Sequence, residues 1–127
     1  MRATMNSEEL YKKAMELESK GEHKAAVSTY KEIIKKSNDP RHFIAFGVCL
    51  QKCGHWKQSI EVLEKGIALK PHYCEGDARL FLAKALFKSG KKGLAIKQWQ
   101  HVSKMQPEYP SYESVQNEAK KMLAQNA

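Results

Sequence analysis

Cys49, Cys53 and His55 come nearest, by type and spacing, to a reactive or metal-binding set. Residues four apart stack on one face of a helix, so the two thiols would lie together with the imidazole close by. A closed tetrahedral site needs further ligands of the same kind, and no second pair follows at a suitable spacing. Free cysteine is among the most buried residue types. Small apolar filler in a helix interface is therefore expected for the two thiols, with no metal and no other cofactor. Cys74 brings the cysteines to three, an odd, low number that does not suit a secreted disulfide framework. The other histidines, His23, His42, His72 and His101, fall in turns or on outer helical positions, and a solvated surface is expected for them.

Catalytic chemistry finds no footing. Gly90-Lys91-Lys92-Gly93 lacks the span of a phosphate-binding loop and its Lys-Ser/Thr ending. Neither GxSxG nor HExxH occurs, and the acidic residues are scattered over polar faces, so no carboxylate pair for acid–base work stands out. The chain is not expected to be an enzyme. With 127 residues, 42% apolar and 28% charged, it reads as one globular domain that can build an ordinary core. No window reaches the roughly 18 apolar residues that span a bilayer. "MRATMNSEEL" lacks an apolar signal core, which leads to the expectation of a cytoplasmic protein without membrane attachment.

The elements that must carry any site repeat along the chain. "GEHKAAVSTYKEI" from Gly21, "GHWKQSIEVLEKGI" from Gly54 and "GKKGLAIKQWQHV" from Gly90 align, with the glycines 33 and 36 residues apart. Upstream of Gly54, Phe43, Phe46, Gly47 and Leu50 mark one helical face; downstream, Ile60, Leu63 and Ile67 mark another. Gly54 suits the left-handed cap between them, and Pro71 stops the second helix. Small residues recur seven positions before each turn glycine, at Ala14, Gly47 and Ala83, and five after it, at Ala26, Ser59 and Ala95. Large residues then follow at Val27, Ile60 and Ile96, and at Tyr30, Leu63 and Trp99. A glycine inside a helix costs about 0.5–1 kcal/mol against alanine, which is tolerable at Gly47 if two backbones approach there.

This pattern resembles the tetratricopeptide repeat, a family of helix pairs about 34 residues long. The resemblance implies an all-α superhelix: three antiparallel pairs, over about 7–40, 41–75 and 76–110, in a single domain 7–127 after a flexible segment 1–6. The polar "SYESVQNEAKKMLAQNA" after Pro110 has Tyr112, Val115, Ala119 and Met122 on one face, the look of a capping helix over 111–126. Three departures stand out. Lys13 replaces the usual apolar residue one position before Ala14. Pro40, read as the closing proline of the first repeat, comes two residues late. "PHYCEGDARL" carries about three extra residues, which would lengthen the next helix or form a loop with Asp77 as N-cap.

The family works by binding, and the resemblance implies a concave groove lined by the first helix of each pair. Carried over position by position, the groove-lining residues are Tyr11 and Met15; Arg41, Ile44, Val48 and Lys52; and Leu80, Lys84, Phe87 and Lys88, accompanied by Glu8, Glu18, Ser19, Gln51 and Asp77. Tyr11, Met15, Ile44, Val48, Leu80 and Phe87 would bury apolar anchors of a partner, while Arg41, Lys52, Lys84 and Lys88 orient it. One subgroup grips the acidic tails of chaperones with a Lys/Asn/Arg carboxylate clamp; here the clamp positions hold Tyr11, Met15, Ala45, Asp77 and Phe81, and that function is not expected. Three-repeat secretion chaperones have a similar build, although they are typically acidic and longer.

The charge is uneven. The net +8 is zero over residues 7–40, +2 over 41–75 and +5 over 76–110. Lys84, Lys88, Lys91, Lys92 and Lys97 favour an acidic partner or serve as a solubilising face. The expected function is a protein-interaction module, an adaptor, scaffold or co-chaperone-like unit, for a peptide or helix with apolar anchors and acidic residues. The alternatives are a self-assembling unit, its groove filled by residues 1–6 or a second copy, and nucleic-acid binding by the basic third repeat, the less expected of the two.

Overall fold

The computed structural model describes residues 4–106 and 112–126. It contains seven helices and, among the described residues, no strand: α1 (Ser7–Ser19), α2 (His23–Lys36), α3 (Pro40–Lys52), α4 (Trp56–Ala68), α5 (Glu75–Lys88), α6 (Lys92–Ser103) and α7 (Tyr112–Gln125). Each helix packs on the next, and α5 also touches α3 and α7. The result is the all-α superhelix of three antiparallel pairs and a final helix. Among the described residues, no helix is long and apolar enough to cross a membrane. Pro110 and Ser111, read as the end of the third repeat and the start of the last helix, lie outside the described residues.

The three turn glycines are the positive-φ glycines, at 77° (Gly21), 77° (Gly54) and 80° (Gly90). Each turn closes with the same bonds. The amides of Glu22, His55 and Lys91 donate to the carbonyls of Leu17, Leu50 and Leu86, and the glycine amides donate to Glu18, Gln51 and Phe87. This is the Schellman pattern, which satisfies orphan carbonyls at a helix end and needs a left-handed residue. A Cβ on Gly54 would meet nothing within 4 Å, so substitution there tests backbone conformation alone. Gly54→Ala is expected to cost about 1 kcal/mol, read as a lower urea midpoint at unchanged m-value.

The small residues mark the contacts within each pair. Ala14, Ala83, Ala26, Ser59 and Ala95 are fully buried, and Tyr30, Leu63 and Trp99 fill the space beyond them. Two core clusters form. One surrounds Tyr30, Ile33 and Leu50, with Tyr30 stacked on Phe46 at 5.6 Å. The other surrounds Leu63, Leu82, Leu86, Trp99 and Val102 and extends to Val115 and Ala119 of α7. Gln51 ties the second pair to the third: its amide donates to Ser59 Oγ (3.2 Å) and to the Phe81 carbonyl (2.8 Å), and Ser59 donates to the Gly47 carbonyl (2.8 Å). These bonds leave the buried polar groups at this junction satisfied.

Three local readings need correction. Pro40 is the first residue of α3, where its missing amide costs nothing, and Asp39 caps that helix through the Arg41 amide. The extra residues before the third pair lengthen the connection, which spans 69–74 against 37–39 for the previous one; α5 then starts at Glu75, two residues before Asp77, with Cys74 as N-cap. Asp77 sits in the first turn, where a carboxylate suits the helix dipole. His42 is only 2% exposed. Its Nδ1 lies 2.6 Å from Ser37 Oγ and its ring packs on Tyr11 at 4.8 Å, so the imidazole is core rather than surface. At the amino end, Asn6 and Glu9 form a capping box that starts α1.

Candidate functional site

The sequence-selected groove residues fall on α1 (Tyr11, Met15), α3 (Arg41, Ile44, Val48, Lys52) and α5 (Leu80, Lys84, Phe87, Lys88). Their surroundings differ sharply. Tyr11 is half-buried between Tyr30 and His42, and burial raises its phenol above the usual range. Met15 is 52% exposed. Ile44 is half-buried against the same core cluster as Leu80 and Phe81, and Val48 is half-buried on α3.

The two cations on α3 are already engaged. Arg41 contacts Asp39 at 2.6 Å and Glu8 at 3.3 Å, and its hydrogen bonds hold the Asp39 carboxyl below the ordinary carboxylate range. Lys52 lies 3.5 Å from Glu18, whose other oxygen accepts from the Tyr30 hydroxyl at 2.7 Å. Exposed pairs of this kind contribute little stability, but they leave less of each charge for a partner. Lys84 and Lys88 make no ion pair among the described residues.

The four α5 residues come together in one place. Leu80, Lys84, Phe87 and Lys88 line a cleft of about 500 Å³, with Asp77, Phe81 and Trp99, and α7 closes it through Glu118 and Met122. The size fits a pocket for a few side chains. Phe87 is 40% exposed and lies tilted against Trp99 with ring centres 6.1 Å apart, while Trp99 is 2% exposed. The arrangement is an apolar floor lined by two lysines, Lys84 and Lys88, and two carboxylates, Asp77 on α5 and Glu118 on α7. It can take an apolar side chain into the floor and hold acidic groups at the α5 rim.

Sequence reasoning missed Phe81, Trp99, Glu118 and Met122 as parts of this cleft. The periodicity places Met122 on the apolar face of α7, yet a capping helix is expected to cover an end rather than wall a pocket. Gly76 supplies the reason. A Cβ there would stand 2.9 Å from Val115 and 3.0 Å from the Tyr112 hydroxyl, so its absence lets α7 seat against the start of α5. Of the carboxylate-clamp positions, Phe81 forms cleft wall and Asp77 its acidic edge; neither can donate to a carboxylate. Cys49 is fully buried in the core, and desolvation pushes its thiol up to about 12.

No protein-family model and no curated protein sequence matches the chain. Solved structures match in fold. The Yersinia enterocolitica type III secretion chaperone SycD, in complex with a peptide of the translocator YopD, aligns with a TM-score of 0.83 at 19% identity, over 94% of this chain and 90% of that one. PcrH from Pseudomonas aeruginosa aligns with a TM-score of 0.83 at 19% identity, over 98% of this chain and 96% of that one. PcrH in complex with the chaperone binding region of PopD gives a TM-score of 0.85 at 18% identity, over 99% and 96%. At these identities the likeness establishes the fold, a tetratricopeptide-like helical solenoid.

Proposed function

We propose that this chain is a three-repeat tetratricopeptide protein, with residues 7–127 as one cytoplasmic binding domain, that holds a segment of another protein in its groove. The observation that carries this reading is the α5–α7 cleft, an apolar floor left open beside the two lysines of α5. A partner segment, extended or helical, would seat an apolar residue over Phe87 and Leu80 and present acidic residues to Lys84 and Lys88. Arg41 and Lys52 would join only by exchanging their internal carboxylates for the partner's, while Tyr11, Met15, Ile44 and Val48 would extend the contact toward α1. Two of the matched structures are complexes with a peptide of YopD and with the chaperone binding region of PopD, which supports a chaperone-like role within the broader adaptor class.

The test is peptide-display selection on the whole chain, followed by measured affinities. Selected peptides should combine an apolar anchor with acidic residues. Lys84→Glu with Lys88→Glu should weaken them about tenfold at low salt, chiefly through the on-rate, and the difference should shrink as salt shortens the Debye length. Selected peptides that ignore this double substitution would contradict the cleft as the site.

The competing readings have less behind them. Trp99 is buried, so it offers no base-stacking platform beside Lys91, Lys92 and Lys97. Lys36 Nζ donates to the Met5 carbonyl at 3.5 Å, which puts Met5 beside α2.

A further inference from the structure

Glu18, His23 and Cys49 come from three different helices, and their ligand atoms all lie within 4.8 Å of one another. Glu18 stands in the last turn of α1, His23 opens α2, and Cys49 is near the end of α3. The sequence expectation of no metal rested on Cys49, Cys53 and His55, a set without enough ligands. The fold supplies what the spacing lacked, because the turn between α1 and α2 brings His23 and Glu18 to the Cys49 thiol.

His23 Nδ1 is buried and has no hydrogen-bond partner among the described residues, an arrangement that leaves a donor atom in need of a proton or a cation. The Glu18 carboxylate is steadied by the Tyr30 hydroxyl at 2.7 Å, as outer hydrogen bonds orient metal-ligating carboxylates. Cys49 Sγ points toward the His23 carbonyl at 3.9 Å. A neighbouring cavity of about 650 Å³, lined by His23, Lys52, Cys53 and His55, gives a way in, and solvent would supply the fourth ligand. Lys52, 3.5 Å from Glu18 and half exposed, would swing aside for the ion.

We propose that Glu18, His23 and Cys49 form a Zn²⁺ site at the junction of α1, α2 and α3. One sulfur, one nitrogen and one oxygen suit this borderline-soft ion, and Zn–ligand distances of about 2.0–2.3 Å require the three side chains to draw inward by a rotamer adjustment. The ion would clasp the first helix pair to the second and replace the Cys49 proton, which is released to solvent. The site stands apart from the α5–α7 cleft and does not depend on the peptide-binding reading.

The test uses the full chain, stripped with chelator and titrated with Co²⁺ and then Zn²⁺. The expected result is one equivalent of Co²⁺ showing the visible absorption of four-coordinate cobalt and a thiolate charge-transfer band, both discharged by Zn²⁺. Cys49→Ala should abolish the charge-transfer band, and His23→Gln should weaken binding about 100-fold or more, beyond the loss typical of an outer-shell partner; Cys74→Ala should change neither. Circular dichroism establishes that each variant is helical. Absence of the cobalt bands in the unmodified chain would overturn the proposal whatever the variants do. So would bands that survive Cys49→Ala and His23→Gln but vanish with Cys53→Ala.

Discussion

Phe87→Glu should reduce affinity for a groove ligand about 30-fold or more while moving the stability of the free protein by less than about 1 kcal/mol. The ring is 40% exposed and lies tilted against Trp99, so it contributes little that the core needs, and surface substitutions of this kind are usually small in effect. Bound ligand changes the sum. An aromatic side chain at the centre of a desolvated pocket is the usual hot spot, with truncation costs of about 2 kcal/mol or more, and 1.4 kcal/mol is a tenfold change in affinity. The introduced carboxylate would add the cost of burying a charge and would compete with the ligand for Lys84 and Lys88. Calorimetric titration of a selected peptide, beside urea melts of both proteins, separates the two effects. A variant that loses binding only in proportion to lost folding would remove Phe87 from the site.

Gly47→Val should destabilise the fold by about 3 kcal/mol and Gly47→Ala by about 1 kcal/mol, the balance of overpacking and regained helix propensity. A Cβ on Gly47 would stand 2.6 Å from both Cγ and Cδ2 of Leu63. Leu63 is fully buried and its Cγ is not a flexible end, so the helices themselves must part. Parting them also strains the Ser59 bond to the Gly47 carbonyl, 2.8 Å long. Gly93, in the first turn of α6, is the control: nothing lies within 4 Å of its added Cβ, so Gly93→Ala should gain about 0.4–1 kcal/mol from the lower conformational entropy of the unfolded chain. Urea midpoints of the three variants decide the matter. A Gly47→Ala protein as stabilised as Gly93→Ala would mean that α3 and α4 do not meet at this residue.

What the sequence made legible was what repeats. The left-handed turns at Gly21, Gly54 and Gly90, the small residues at Ala14, Gly47 and Ala83, and the large ones at Tyr30, Leu63 and Trp99 each answer a local constraint that recurs at one offset, so the three copies corroborate one another. What stayed hidden depends on single long-range meetings. Pro40 reads as a stop when the repeat is counted along the chain, and the Asp39 cap shows that it starts α3. Arg41 and Lys52 look available on a helical face, but Glu8 and Glu18 of α1 reach them. Met122 and Glu118 of α7 enter the cleft because α7 seats on Gly76, a contact outside the repeat pattern. His23 gained Glu18 and Cys49 as neighbours in the same way.

The central claim is that the α5–α7 cleft takes hold of another protein. Affinity capture from a native lysate, with the unmodified chain beside Phe87→Glu and with nuclease treatment in parallel, tests it most directly. Mass spectrometry should find a partner that survives nuclease and disappears with Phe87→Glu, with apolar and acidic residues in the segment it offers. Partners that vanish with nuclease and persist with Phe87→Glu would contradict the claim and move the function to the lysines around Gly90.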